Sequence, residues 1–310
     1  MKSRLFSREL RGRERTDLPT RAVRYAQQLR RRGLIRGTFH SAWDEWRHYG
    51  GGGQLRYGLT IVGVETYMLV RYPINHFRFR VRPSPFWKNW KMLEAGKQDL
   101  ESLRFLSSFV RPGQTVFDVG AWEGPYALFF AELVGKEGRV YAFEPDPKAL
   151  AALRDNIKAN GLANVDTEDS CLSNADGQAL FYDAGGATIG SLVRNDLVAT
   201  FPQSVVKATT IDRYCRDRNI HVDGIKLDVE GAEVLAVEGA REVIRAFSPW
   251  VFLEFHGVFM PERERQRSWA KIVGSARDVT FLQGDSHRYG PGDHVDSYPD
   301  CDYFHVLIQY

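Results

Sequence analysis

The sequence predicts an α/β fold, a largely parallel sheet with helices on both faces, preceded by a basic N-terminal α+β extension. Three observations lead there. From about Lys97, short apolar runs alternate with helical patterns, the rhythm of βαβ units. One stretch, "VFDVGAWEGPYALFF" (116–130), passes from an apolar strand through a glycine turn into an apolar helix. And 310 residues that are 43% hydrophobic suffice for one full α/β domain plus an extension.

Taken in order, residues 1–50 are arginine-rich and only weakly periodic. "TRAVRYAQQLRRRGLIRG" (20–37) is a candidate helix with Ala22, Val23, Ala26 and Leu29 on one side, and "YGGGGQ" (49–54) breaks the pattern. "LTIVGVETYMLV" and "HFRFRVRP" read as strands. The second does so by alternation of Phe77, Phe79 and Val81 with Arg78, Arg80 and Arg82. "SPFWKNW" (84–90) closes a first region, 1–96. In the second, 97–310, the strand candidates are 115–120, 139–144, 165–171, 205–209, 223–229, 249–255, 278–283 and 303–309. Helix patterns cover 125–134, 147–159, 231–246 and 261–274. "GQALFYD" (177–183) adds a short strand before a glycine-rich loop.

The net charge of +3 hides a polarity. Residues 1–110 carry 22 Lys+Arg, 18 of them arginine, against 9 Asp+Glu; the remainder carries 20 against 30. An acidic body with a basic attachment is the pattern. Cys171, Cys215 and Cys301 are widely spaced and outside any CxxC pattern, which predicts neither a disulfide framework nor a zinc site. No apolar run approaches the length of a spanning helix. The N-terminus lacks the features of a secretory signal, so a cytoplasmic protein is expected.

The glycine turn narrows the ligand. A dinucleotide fingerprint wants G-x-G-x-x-G, but here Trp122 stands where the second glycine would, between Gly120 and Gly124. Asp118, just before the turn, would repel a pyrophosphate. S-adenosylmethionine (SAM) makes other demands. Asp118 can accept from its ammonium, and the helix beginning at Pro125 offers N–H groups to its carboxylate. Glu144, ending the next strand in "YAFEPD", can accept both ribose hydroxyls. The plainer alternatives are a capping role for Asp118 and a solvated loop carboxylate at Glu144.

Later segments add to this. "EPDPKALAALRDNIKANGLANV", "SCLSNADGQALFYD", "TTIDRY", "IKLDVEGAEVLAVEGA" and "WVFLEFHG" occur in an order and spacing that resembles the FkbM family of SAM-dependent methyltransferases, over about residues 97–258. The KxDxEGxE element is Lys226, Asp228, Glu230, Gly231 and Glu233. The resemblance implies a class I, Rossmann-like methyltransferase sheet of seven strands in the order 3-2-1-4-5-7-6. It also implies SAM as cofactor, with Cys171 among its contacts beside Asp118, Gly120, Gly124 and Glu144. The implied reaction is O-methylation, often of sugar or polyketide-type hydroxyls. Residues 1–96 resemble the family only loosely, around "FRFRVRP".

Lys226, Asp228 and Glu230 alternate along one strand and so share a face, as do Glu254 and His256 on the next. Central parallel strands are normally unbroken apolar runs, and buried charges are costly unless paired or used. An ion pair of Lys226 with a glutamate, tying the strand to its neighbour, is the purely structural reading. A hydroxyl acceptor needs a base, for which Asp228, Glu230 and His256 are the candidates; His256 at a strand end also suits a bond to a loop. Asp228 with Glu230 suits a divalent cation, but no third ligand stands at matching spacing, so a site without metal is expected. The expected activity is SAM-dependent O-methyl transfer to a hydroxyl of a glycan or glycoconjugate. A non-catalytic SAM-binding scaffold, or an assembly subunit presenting the basic arm, is the rival. For residues 1–96 the readings are peripheral contact with an anionic inner-membrane face through residues 1–50, which suits a lipid-linked saccharide acceptor, or a solvated or homo-oligomer-forming arm. Nucleic acid fits least, for want of a motif. The aromatic residues at 66–90 suit either an acceptor cleft or a small core.

Overall fold

The computed structural model describes residues 60–62, 65–183, 190–194, 200–257, 260, 262–282, 287–289 and 304–310. The basic segment 1–50, its helix pattern at 20–37, the glycine break at 49–54 and Cys301 lie outside the described residues. The chain divides into units 1–67 and 68–310, whereas the sequence reading set a boundary at 96/97. In the first unit, β1 (Thr60–Val62) pairs antiparallel with the start of β2 (Glu65–Arg71), Thr60 opposite Tyr67.

In the second unit the rest of β2 pairs antiparallel with β3 (Arg78–Val81). Phe79 and Val81 point into the core and Arg78 and Arg80 outward, as the alternation predicts. Two helices that the sequence reading did not mark follow. α1 (Trp87–Glu94) buries Trp90 and Leu93, and α2 (Leu100–Phe109) buries Leu103 and Leu106. Tyr72, Phe77 and Phe79 pack on Phe129 of the helix after the glycine turn, directly or through one another. So Tyr72, Phe77 and Phe79 form core, while Trp90 of the same aromatic stretch is buried and also lines the cavity described below.

The large sheet comprises β4 (Thr115–Val119), β5 (Arg139–Phe143), β6 (Val165–Glu168), β10 (Gly224–Leu227), β11 (Trp250–Phe255), β12 (Asp278–Leu282), β13 (His287–Tyr289) and β14 (Phe304–Gln309). Its order is β6-β5-β4-β10-β11-β14-β12-β13. Without the edge strand β13, that is the 3-2-1-4-5-7-6 order implied by the resemblance. β4, β5, β6, β10 and β11 run parallel; β14 and β12 add antiparallel pairs. The helices are α3 (Pro125–Val134), α4 (Pro147–Asn160), α5 (Ile211–Arg218), α6 (Glu233–Glu238), α7 (Arg241–Phe247) and α8 (Glu262–Val273). α4 begins where Asp146 accepts from the N–H groups of Lys148 and Ala149, with Pro147 in its first turn. Alternation along β4 sends Phe117 and Val119 into one apolar layer and Val116 into the other.

Four expectations need correction. The strand foreseen at 165–171 breaks at Asp169: β6 stays in the large sheet, while β7 (Ser170–Leu172) joins β8 (Gly177–Tyr182) and β9 (Gln203–Thr209) in a separate sheet ordered β7-β9-β8. The strand at 205–209 is therefore not part of the large sheet. The helix foreseen at 231–246 is two, divided at Gly239, where a Cβ would lie 2.1 Å from the Ser173 carbonyl oxygen. And β10 ends at Leu227, so period-two alternation does not carry through to Glu230. No helix among the described residues is long and apolar enough to cross a membrane; Cys171 and Cys215 are free thiols.

Candidate active site

The C-terminal ends of β4, β5, β10 and β11 open into one cavity of about 170 Å³, where ligands gather in open α/β sheets. One wall is the glycine turn. Gly120 has φ +79°, and a Cβ there would lie 1.8 Å from the Asp228 carbonyl oxygen, so the tips of β4 and β10 nearly touch. Gly124 (φ +97°) lets the turn sit against Leu153 of α4. Trp122, itself at φ +48°, stacks on Trp90 at 6.1 Å and meets Phe86 edge-on. Its N–H donates to Glu144 Oε2 at 2.8 Å, and the Asp146 N–H donates to Glu144 Oε1 at 2.8 Å. Burial pushes the Glu144 carboxyl up to about 8, against these two donors. Glu123 accepts from Trp90 Nε1 (2.8 Å) and Ser84 Oγ (3.0 Å).

The opposite wall is crowded with charge. Lys226 on β10 stands directly beside Asp118 on β4; both are buried, with Nζ 3.6 Å from Asp118 Oδ1 and 3.2 Å from Asp228 Oδ2. The ammonium also lies 4.5 Å from the Tyr126 ring centroid. Burial lowers the Lys226 pKa, but Asp228, Asp118 and Glu254 outweigh it and hold the value above normal. Asp118 is raised to about 6, by burial first, Lys226 opposing.

Past β10 the chain turns through Glu230 (φ +53°) and Gly231 (φ +99°), and the Glu230 carbonyl accepts from Ser191 Oγ at 2.7 Å. This left-handed pair, rather than strand alternation, aims Glu230 inward. His256 is buried at the end of β11. Its Nδ1 lies 3.0 Å from Glu233 Oε1, which also accepts from the Gly231 N–H. Its Nε2 faces Glu230 Oε2 at 3.4 Å, Glu254 Oε1 at 3.6 Å and Asp228 Oδ1 at 4.0 Å. Burial lowers the His256 pKa, but Glu233, Glu230 and Asp228 raise it to about 10. The other Glu254 oxygen lies 3.1 Å from His305 Nε2 on β14.

Of the residues named from the sequence, Gly120, Glu144, Cys171, Asp228 and Glu230 line the cavity. Asp118 and His256 do not: Asp118 lies beneath Lys226, and His256 behind the three carboxylates. Gly124 supports the turn from outside. The Cys171 thiol donates to the Lys207 carbonyl at 3.2 Å and is pushed up to about 11 by burial. The structure also brings in Asp99, Glu254 and His305, which lie together. Asp99, at φ +58°, lines the cavity beside Asn89 and Gln98, and nothing in its local sequence marked it. His305 interrupts an apolar strand, "FHVLIQ", the same signal that drew attention to Lys226.

A family model described as the Methyltransferase FkbM domain matches residues 118–287. Among curated proteins, the chain is 27% identical over 154 residues to the 2-O-methyltransferase NoeI of Sinorhizobium fredii, covering 46% of this chain and 63% of that one. It is 37% identical over 78 residues to a ribosomal protein L11 methyltransferase of Caldanaerobacter subterraneus, covering 25% of each. The chain thus spans less than two thirds of the length of these relatives. Among solved structures, methyltransferase FkbM from Methylobacillus flagellatus matches at TM-score 0.45 and 15% identity, over 67% of this chain and 47% of that one. Aeropyrum pernix fibrillarin with bound S-adenosyl-L-methionine matches at TM-score 0.43 and 14% identity, over 84% and 85%.

Proposed function

Starting from the fact that the chain belongs to the FkbM methyltransferase family, we propose that it transfers a methyl group from SAM to a hydroxyl of a glycan or glycoconjugate. The observation that carries this is the single cavity joining the Gly120–Tyr126 turn and Glu144 on one side to Asp228, Glu230 and Glu254 on the other. Glu144, its two oxygens already fixed by N–H groups, keeps lone pairs for the ribose hydroxyls. The turn's backbone would hold the methionine end. Asp118 acts one layer down, by holding Lys226 and through it Asp228.

Methyl transfer from a sulfonium is an in-line displacement, so alignment supplies much of the acceleration. The acceptor oxygen gives its proton to a carboxylate and forms the new C–O bond. SAM, when bound, would supply the methyl group from its sulfonium, the electron pair of the broken S–CH₃ bond leaving with S-adenosylhomocysteine. Asp228 and Glu230 reach the cavity and serve as candidate base. His256, set behind them, is a positioning residue in this reading. Asn89, Gln98 and Asp99 line the same cavity with hydrogen-bonding groups suited to a polyhydroxylated acceptor. The relative NoeI, a 2-O-methyltransferase by name, agrees with oxygen as the acceptor atom.

The test is incubation with isotope-labelled SAM and a cell-derived lipid and glycan extract. Mass spectrometry should find a saccharide-containing product heavier by one methyl group, and calorimetry should detect SAM or S-adenosylhomocysteine binding but none of NAD. Label appearing only in protein or nucleic acid would overturn the glycan reading. Absence of SAM binding would overturn the whole.

A further inference from the structure

Three oxygens from three carboxylates, Asp228 Oδ1, Glu230 Oε2 and Glu254 Oε1, converge on one ring nitrogen, His256 Nε2, at 3.4–4.0 Å. That nitrogen carries at most one hydrogen. The longer two separations exceed a hydrogen bond, so a proton on Nε2 cannot serve all three oxygens. We propose that Asp228, Glu254 and His256, with Glu230 beside them, form a site for one divalent cation of the Mn²⁺ or Mg²⁺ kind at the base of the cavity.

Three independent features support the assignment. The first is spacing. Ligand atoms each about 2.1 Å from one ion stand about 3–4 Å from one another, and the candidate ligand atoms of Asp228, Glu254 and His256 all lie within 4.8 Å of one another. The second is orientation of the imidazole. Nδ1 is held at 3.0 Å by Glu233, a fully buried carboxylate that is itself bonded to the Gly231 N–H. A ligating histidine characteristically has its other nitrogen bonded to a carboxylate, which fixes the ring and directs Nε2 at the metal. The third is charge. Asp228, Glu230, Glu233 and Glu254 crowd a region in which, among the described residues, Lys226, His256 and His305 are the facing bases, and Lys226 is shared with Asp118. Oxygen-rich ligands with one imidazole suit a hard or borderline dication. Sequence spacing paired Asp228 with Glu230 and offered no third ligand, because Glu254 and His256 come from the end of β11 whereas Asp228 follows β10.

Binding of the ion stands apart from the proposed reaction; its use there, holding the acceptor hydroxyl against the methyl group, rests on that reading. The ion alone is therefore the probe. The full chain, dialysed against EDTA, is titrated with Mn²⁺ and followed by electron paramagnetic resonance and calorimetry. The expected result is one Mn²⁺ per chain, weakened at least tenfold in Asp228→Asn and in His256→Asn, and 10–100-fold in Glu233→Gln through the orienting bond. Asp99→Asn should leave the affinity within threefold. Thermal melts and SAM binding of each variant verify that it is folded. The proposal is overturned if the folded chain takes up no stoichiometric Mn²⁺. It is equally overturned if folded Asp228→Asn and His256→Asn bind as the parent does, or if Asp99→Asn alone loses the ion, which would move it to Asp99, Glu254 and His305. A chain that binds Mn²⁺ but not SAM would sink the proposed function and leave the ion site standing.

Discussion

Glu144 and Glu254 stand on opposite walls of one cavity, and their carboxylates are held by different kinds of partner. Glu144 receives the N–H groups of Trp122 and Asp146, dipoles that are part of the chain and cannot leave or change charge. Glu254 lies between two imidazoles, His256 and His305, with Asp228 close by. These three neighbours can gain or lose a proton or accept a cation. The difference teaches how one pocket divides its work. Fixed dipoles on the glycine-turn wall give a preformed shape for recognition, while mutually facing charges on the other wall give an environment that a ligand can rearrange.

The contrast can be broken most decisively at Asp228. Asp228→Asn should lower turnover by about 10²–10⁴-fold, with SAM affinity within a few-fold by calorimetry. Parallel losses of both would erase the division. Next in size is Lys226→Met, which leaves Asp118 buried without its cation and should cost about 3–5 kcal/mol in urea unfolding. Adding Asp118→Asn to it should restore most of that stability, because the uncompensated charge is then gone; no recovery would show that Lys226 acts through packing alone. Gly120→Ala should cost about 2–4 kcal/mol, from a left-handed φ and from a Cβ driven into the Asp228 carbonyl. A variant as stable as the parent would show that the two walls can separate freely.

The smallest effect sharpens the comparison through pH. The Glu144 carboxyl in the folded chain titrates near 8, against an ordinary 4.5. A value raised on folding contributes stability fully present below about pH 4.5 and lost as pH rises through about 8. Between pH 5 and 8 the parent should therefore lose more stability than Glu144→Gln, read as urea midpoints across that range. Parallel curves for the two proteins would mean that the N–H donors, not burial, dominate this site.

Much of this was legible from residues alone, and the reasons are physical. Apolar runs at βα spacing specify a buried parallel sheet almost regardless of detail, so β4, β5, β11 and α3 fall where the pattern puts them. Gly120 and Lys226 announced themselves as a glycine and a charge where a strand should be apolar. Other features depend on distant partners. Asp99 acquires meaning only from Glu254 and His305, roughly 155 and 206 positions away in sequence, and no local pattern reports that. Gly239 stands between two helices where a Cβ would meet the Ser173 carbonyl, a close approach made by the residue that follows a strand of a different sheet. The turn at Glu230 likewise escaped a period-two reading, since a left-handed residue resets the direction of every side chain after it.

The Trp122–Trp90 stack also gives the protein an optical property. Both indoles border the cavity, and emission from such rings responds to the polarity and the quenching groups of their immediate surroundings. Arrival of an adenosyl ligand against that stack would exchange water for a purine or a sulfonium within the reach of two fluorophores. Occupancy of the pocket should thus be readable as a change in intrinsic tryptophan emission, without label, acceptor or turnover.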